Sequence, residues 1–282
     1  MKKFSLMFIG MLCASRLSAQ YGPASISDTL VVTGYQVSVF SDSTLFYFAP
    51  DGTYQVIAEQ GISNTNTGFQ TYPTTSGTYS YSTVPDTAPT GYPYPPTGLD
   101  GTAVLTNSAG STQWKFTNPY FFEGVSFGVY RRISLTGAAN VSNNSWVTAA
   151  HPAISGFVIE GGSGRWVLIR GAGPSLAQFG VANPVAKPTL TLSSQAVVNF
   201  AANSGAFSNS TAIAINPWSA DPNLVAGMKI VFSLTGAFPF PSGSSDCAAL
   251  VFLQPGAYTV QAGSQGADGQ LLTEVYVLPF GT

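Results

Sequence analysis

Thr44-Leu45-Phe46-Tyr47-Phe48-Ala49-Pro50-Asp51-Gly52-Thr53-Tyr54-Gln55-Val56-Ile57 is the stretch whose reading decides the fold class. Two runs of aromatic and β-branched residues flank Pro50-Asp51-Gly52, where proline fixes one backbone angle and glycine accepts a positive one. Such a pattern predicts a β-hairpin. Outward from it the texture repeats. Thr78-Tyr79-Ser80-Tyr81-Ser82 reads as another strand. Ala103-Val104-Leu105-Thr106 joins Gln113-Trp114-Lys115-Phe116-Thr117 across a Ser108-Ala109-Gly110-Ser111 turn, and Val125, Phe127 and Val129 alternate with Ser126 and Gly128 as in a strand with one buried face. Residues 61–76 and 83–101, rich in Thr, Pro, Gly and Tyr, are expected to be long surface loops. Short strands punctuated by turn residues predict an all-β chain whose first half is a small antiparallel barrel or meander.

After Arg131-Arg132 the apolar runs lengthen and the turns become Gly/Ala-rich, which places a domain boundary near residue 133. Gly156-Phe157-Val158-Ile159 and Arg165-Trp166-Val167-Leu168-Ile169-Arg170 bracket Gly161-Gly162-Ser163-Gly164 and read as a hairpin whose second strand is buried on both faces. Further strands are expected at 189–192, 247–253, 257–262 and 271–278. One segment departs from the pattern. Asp221-Pro222 suits a helix start, Leu224, Met228, Val231, Phe232 and Thr235 fall at helical spacing, and Gly236 would end it. The expectation is a C-terminal β-sandwich over 133–282 with one short helix, although Ile230-Val231-Phe232 also suits a strand.

Lys2 and Lys3 precede an apolar run from Phe4 to Ala14 and a polar stretch closing on Leu17-Ser18-Ala19. This is the layout of a secretory signal peptide over 1–19, cleaved near Ala19, and the run is too short to span a membrane, which takes ~20 apolar residues. The barrel-like domain then covers 20–132, and the product is expected to be secreted, periplasmic or cell-surface, without integral membrane contact. Of the ten basic residues, Lys2, Lys3 and Arg16 leave with the signal, so seven face twelve acidic ones and the net charge is near minus five. Seven scattered cations make no phosphate-binding stripe, which argues against nucleic acid. Cys247 is the sole cysteine after residue 19, so no internal disulfide is available. Charged residues are 8% of the chain against a usual ~25%, giving a surface of Ser, Thr, Asn, Gln and Gly.

Catalytic patterns are missing. His151, the one histidine, sits beside Pro152 in a loop with no partner nearby in sequence, and Ser163 is followed by Gly164-Arg165 rather than completing a nucleophile elbow. No His/Cys cluster or alternating Asp run offers a metal site, and Gly171-Ala172-Gly173-Pro174 lacks the lysine and spacing of a phosphate loop; no cofactor is implied. Tyr92 and Tyr94 in Thr90-Gly91-Tyr92-Pro93-Tyr94-Pro95-Pro96, with Tyr72 and Trp114, are candidate stacking faces for a sugar or partner protein. Arg170, Asp246 and Glu274 lie in or beside apolar strands, where an unpaired charge costs several kcal/mol, so Arg170 is expected to pair with one of these acids as a structural tie.

Val167-Leu168-Ile169-Arg170-Gly171-Ala172-Gly173-Pro174-Ser175-Leu176, with Gly236-Ala237-Phe238-Pro239, Gly243-Ser244-Ser245-Asp246-Cys247-Ala248-Ala249-Leu250, Pro255-Gly256-Ala257-Tyr258-Thr259 and Glu274-Val275-Tyr276, resembles an uncharacterised β-sandwich module of secreted bacterial proteins. The resemblance covers roughly 133–282 and implies a module appended to exported proteins, with no established activity. Where that family carries an Asn/Asp-rich stretch with a tryptophan, this chain is Ala/Asn/Ser-rich over 195–216 before Trp218. The first half more loosely resembles small exported lipocalin-like β domains, through Phe48-Ala49-Pro50-Asp51-Gly52-Thr53-Tyr54 and Gly77-Thr78-Tyr79-Ser80-Tyr81. The expectation is an exported, non-enzymatic structural or interaction protein of the bacterial envelope or extracellular space, its partner unknown and glycan among the candidates. The alternative is a carbohydrate- or small-ligand-binding protein acting through the N-terminal β domain, and a hydrolase using unrecognised carboxylates stands behind both.

Overall fold

The computed structural model describes residues 25–37, 40–63, 68–71, 75–85, 99–116, 121–124, 129–133, 139–160, 165–201 and 207–278. The expected signal peptide lies outside them.

The chain is all-β, with its strands in three antiparallel sheets. The first is built from β1 (Thr29–Val37), β2 (Phe40–Phe48), β3 (Thr53–Ser63), β4 (Gly68–Thr71), β5 (Ser76–Pro85), β6 (Leu99–Asn107), β7 (Gly110–Phe116), β8 (Phe121–Gly124) and β9 (Val129–Ile133). Because β1 pairs with both β2 and β9, and β2 with β3, the ladder returns on itself: the strands other than β4 form a closed antiparallel barrel, and β4 lies outside, paired to the far half of β3. Closure removes the edges that an open sheet would expose.

The hairpin at its centre forms as the sequence implies. Phe48 lies opposite Tyr54, the Ala49 amide donates to the Thr53 carbonyl at 2.8 Å, and Gly52 has φ 83°. Asp51 adds a side-chain cap, accepting from the Thr53 amide at 2.9 Å and its hydroxyl at 2.6 Å.

The two expected loops are shorter than their composition implies. β3 continues to Ser63 and takes β4 as partner, with Gly61 opposite Phe69, while β5 and β6 extend to pair Pro85 with Leu99. Ladder hydrogen bonds use only the backbone, so Gly and Thr pair there despite little apolar content. Of the strand expected over 125–129, only Val129 is described, opening β9; the rest lies outside the described residues.

The remaining strands are β10 (Ala139–Val147), β11 (Ala153–Ile159), β12 (Arg165–Ala172), β13 (Pro188–Ala201), β14 (Phe207–Ile215), β15 (Cys247–Leu253), β16 (Gly256–Ser264) and β17 (Gly269–Val277), with helix α1 (Pro222–Thr235) before β15. They make two four-stranded sheets, ordered β10-β17-β12-β15 and β11-β16-β13-β14. The expected hairpin of β11 with β12 does not form: β11 pairs with β16 and β12 with β15 and β17, so the Gly-rich connection carries the chain from one sheet to the other. A strand apolar on both faces belongs inside a stack, flanked by its own sheet neighbours.

Val167, Ile169, Leu190, Leu192, Val251, Val260 and Val275 fill the space between the two sheets. The opposite face of the β12 sheet is also covered. Trp166, Leu168, Leu250 and Tyr276 pack with Leu224, Met228, Val231 and Phe232 of α1, and this same cluster takes in Leu30, Leu45, Ile57 and Ala58 from the barrel. A bulge in β3 between the Leu45–Ala58 and Phe46–Val56 pairs turns both Ile57 and Ala58 outward towards α1. Contact is close: a Cβ on Gly227 would lie 2.9 Å from Ile57 Cγ2. The helical reading of 230–232 therefore holds, with Gly236 at φ 71° ending α1.

Candidate functional site

Arg170, Gly173, Ser175, Phe238, Asp246, Glu274 and Tyr276 meet in one buried region. On β12, alternation sends Val167 and Ile169 between the sheets and Trp166, Leu168 and Arg170 to the side facing α1. Arg170 lies opposite Glu274 in the β12–β17 ladder, and its Nη1 stands 3.2 Å from Glu274 Oε2. Nη2 donates to the Phe238 carbonyl at 2.7 Å. Three rings surround the guanidinium carbon, those of Phe240, Phe232 and Phe238 at 4.1, 4.4 and 4.6 Å to the centroids. Tyr276 closes the other side, its hydroxyl donating to Glu274 Oε1 at 2.7 Å.

Burial lowers the Arg170 pKa and the Glu274 charge opposes that loss. The same burial, followed by the Glu274 hydrogen bond, raises the Tyr276 hydroxyl to about 12. Tyr47, half-buried with its hydroxyl 3.0 Å from Asp28 Oδ1, also rises to about 12, burial first and Asp28 second. A raised phenol is a group whose protonated form the fold favours. Its contribution is whole below the ordinary value near 10 and is lost as pH rises through about 12. Burial raises the Tyr258 hydroxyl as well, so spectrophotometric titration at alkaline pH should show Tyr47, Tyr258 and Tyr276 ionising above the main transition, and Tyr276→Phe should remove one of them; titration of all tyrosines together in the still-folded chain would contradict this.

Asp246 does different work from the pairing that the sequence offered for it. It is fully buried and accepts from the amides of Gly173 at 2.8 Å and Ser175 at 3.2 Å, and from the Ser175 hydroxyl. The carboxylate thus holds the turn leading into the 3-10 helix Pro174–Phe179. Gly173 is required there, since a Cβ would approach the Val185 carbonyl oxygen to 2.2 Å. Within the trio, Arg170 pairs with Glu274.

Trp114 is a buried residue, 6% exposed, with Phe46 edge-on at 4.9 Å and Phe48 at 5.9 Å. It lines the barrel interior because β7 alternation turns Trp114 and Phe116 inward and Gln113 and Lys115 out. A stacking role on the surface is excluded for it as placed. Phe48, Tyr54, Val56, Leu105 and Phe116 fill the described part of the interior around it. Tyr72, Tyr92 and Tyr94 lie outside the described residues. His151 is exposed in a turn, 3.3 Å from the Thr148 hydroxyl. Cys247 is buried, its thiol pushed up to about 12 by burial and then by Asp246. Among the described residues no three His, Cys, Asp or Glu gather as a metal site, and no helix is long and apolar enough to cross a membrane.

Sequence reasoning missed the phenylalanine cage and the partner of Asp246. It also missed a surface. The outward face of the β11-β16-β13-β14 sheet carries Ile154, Gly156 and Val158 from β11, Ala257, Thr259 and Gln261 from β16, Thr189, Thr191 and Ser193 from β13, and Ala212 and Ala214 from β14. None bears a charge. Ile154 and Val158 are 66% and 61% exposed. The visible signal was Ala153-Ile154-Ser155-Gly156-Phe157-Val158-Ile159, apolar at both parities although its strand ends a sheet.

No family model and no curated protein matches the chain. A solved exo-β-1,3-galactanase from Phanerochaete chrysosporium with galactose aligns over 89% of this chain and 68% of its own, at 8% identity and a TM-score of 0.20, a likeness too slight to carry an argument.

Proposed function

We propose that the chain is an exported, non-catalytic interaction protein of the bacterial envelope or extracellular space. The observation that carries this reading is the outward face of the β11-β16-β13-β14 sheet, uncharged along its described residues and bearing two aliphatic side chains more than half exposed. Single exposed apolar groups are ordinary, whereas aliphatic side chains gathered on one sheet face and rimmed by neutral polar residues suit a contact surface. The arrangement of charge supports it too: Arg170, Glu274 and Asp246, the acids and base in the apolar strands, are engaged with one another, with backbone groups or with neighbouring hydroxyls, and buried. Export is supported by Lys2-Lys3, the apolar run and Leu17-Ser18-Ala19.

The intact protein should release no sugar from chromogenic glycosides or from β-linked polysaccharides above a buffer blank. Turnover that disappears on replacing one carboxylate would overturn the non-catalytic reading. The exported form should begin near Gln20 when its N-terminus is sequenced; a cell-retained chain still starting at Met1 would remove the export half of the proposal.

A further inference from the structure

β11 (Ala153–Ile159) is the end strand of its sheet: among the described residues its ladder partner is β16 alone, so alternate residues direct their amides and carbonyls away from the sheet. Natural end strands are commonly blunted by lysine, proline or a bulge. β11 has none of these, pairing with β16 in unbroken register from Ala153–Ala262 to Ile159–Gly256. Next to it, Asn143 of β10 donates to Ser155 Oγ at 3.3 Å and accepts from Ser145 Oγ at 2.8 Å. Those polar contacts tie β11 to the facing sheet, and among the described residues no strand pairs with its other rim.

The geometry points to a second copy of this chain as the occupant of that rim, joined through antiparallel β11–β11 pairing about a two-fold axis at Gly156. The spacing is self-complementary. With Gly156 opposite its own copy, Ile154 of one chain faces Val158 of the other twice over, on the solvent side of a continuous eight-stranded sheet. Both are the exposed aliphatic residues of the strand, and cross-strand aliphatic pairs are a stabilising unit of sheets. No side chain from Ala153 to Ile159 is charged, so a copy meets no like charge opposite itself, which is the condition an isologous contact must satisfy. A foreign strand would need neither the symmetric spacing nor the central glycine. This inference deepens the interaction reading given above and rests on it.

The test uses the exported chain beginning near Gln20, whose one cysteine, Cys247, is buried. Sedimentation from about 1 to 100 µM, the range over which a micromolar contact is resolved, should show a dimer. The exposed-site double variant Ile154→Lys/Val158→Lys should sediment as a monomer with an unchanged circular dichroism spectrum. Gly156→Cys tests the register: an added Cβ there meets the Tyr258 carbonyl oxygen at an ordinary 3.8 Å, and directly opposed residues stand ~4.5–5.5 Å apart at Cα, within disulfide reach. It should oxidise to a covalent dimer, whereas Ile154→Cys alone should not, and a mixture of Ile154→Cys and Val158→Cys chains should cross-link to each other. A wild-type chain that stays monomeric throughout, or a dimer that survives the double lysine variant, overturns the inference. Either result leaves the sugar-release assay free to decide the non-catalytic reading separately.

Discussion

Glu274→Leu is expected to unfold the chain at a much lower temperature than the wild type. The change takes from the wholly buried Arg170 guanidinium the one carboxylate in contact with it, leaving the Phe238 carbonyl, the Tyr276 hydroxyl, three ring faces and the more distant Asp246 charge, and strips Tyr276 of its acceptor. Removing one member of a buried pair typically costs about 3 to 5 kcal/mol, which for a chain of this size corresponds to roughly 6 to 20 °C in melting midpoint. Ring faces do not make up the loss, because the same three surround Arg170 in the wild type and in the variant. Arg170→Met should be costly for the reciprocal reason. The double variant Arg170→Met/Glu274→Leu should recover most of the loss, since no uncompensated charge remains and methionine fits among aromatic rings. Thermal melts of the four chains decide it. If Glu274→Leu melts within a degree or two of wild type, the pair is not what holds the β12–β17 ladder to α1.

How much of this was readable beforehand differs from residue to residue. The Pro50-Asp51-Gly52 hairpin was legible because turn chemistry is local: the residues that set the backbone angles are the ones that turn. Helix α1 was legible from Pro222 and Gly236 for the same reason. Arg170 stood out as a charge inside an apolar strand, and its register opposite Glu274 followed from strand pairing that sequence spacing does not encode. The phenylalanine cage was not legible. Phe238 and Phe240 lie in irregular chain 68 and more residues from Arg170, where no period marks a face. The exchange of β11 and β12 between sheets was likewise hidden, since a short Gly-rich connection serves a hairpin and an inter-sheet crossing equally. Trp114 misled as a candidate binding residue because an aromatic flanked by Gln113 and Lys115 has the same one-dimensional pattern whether its own face is the barrel interior or the surface; the identity of the inward face is settled only when the barrel closes.

Asp246→Ala is expected to be the second large loss, and its size comes from donors rather than from charge. The side chain receives the Gly173 amide, the Ser175 amide and the Ser175 hydroxyl. Each buried donor left without an acceptor costs about 1 to 3 kcal/mol. Two of the three are backbone groups of a turn that cannot swing to water, because Gly173 is pinned against the Val185 carbonyl and Ser175 is itself buried. The total should therefore reach at least about 3 kcal/mol, where Ser175→Ala, which removes one donor and keeps the carboxylate's other two bonds, should cost about 1 kcal/mol. Asp246→Asn should cost much less than Asp246→Ala, since its amide oxygen can keep both N–H groups that Oδ1 accepts and its amide nitrogen would face the Ser175 hydroxyl, which can accept in turn. The loss also has an address. Amide exchange at Gly173 and Ser175 should accelerate in Asp246→Ala far more than at Val251 or Val275 in the adjacent sheet, because the turn opens before the strands do. Equal acceleration everywhere would mean that the carboxylate supports the fold as a whole. Unchanged protection at Gly173 would mean that it does not hold this turn, and that Gly171-Ala172-Gly173-Pro174-Ser175 keeps its shape through proline and close packing alone.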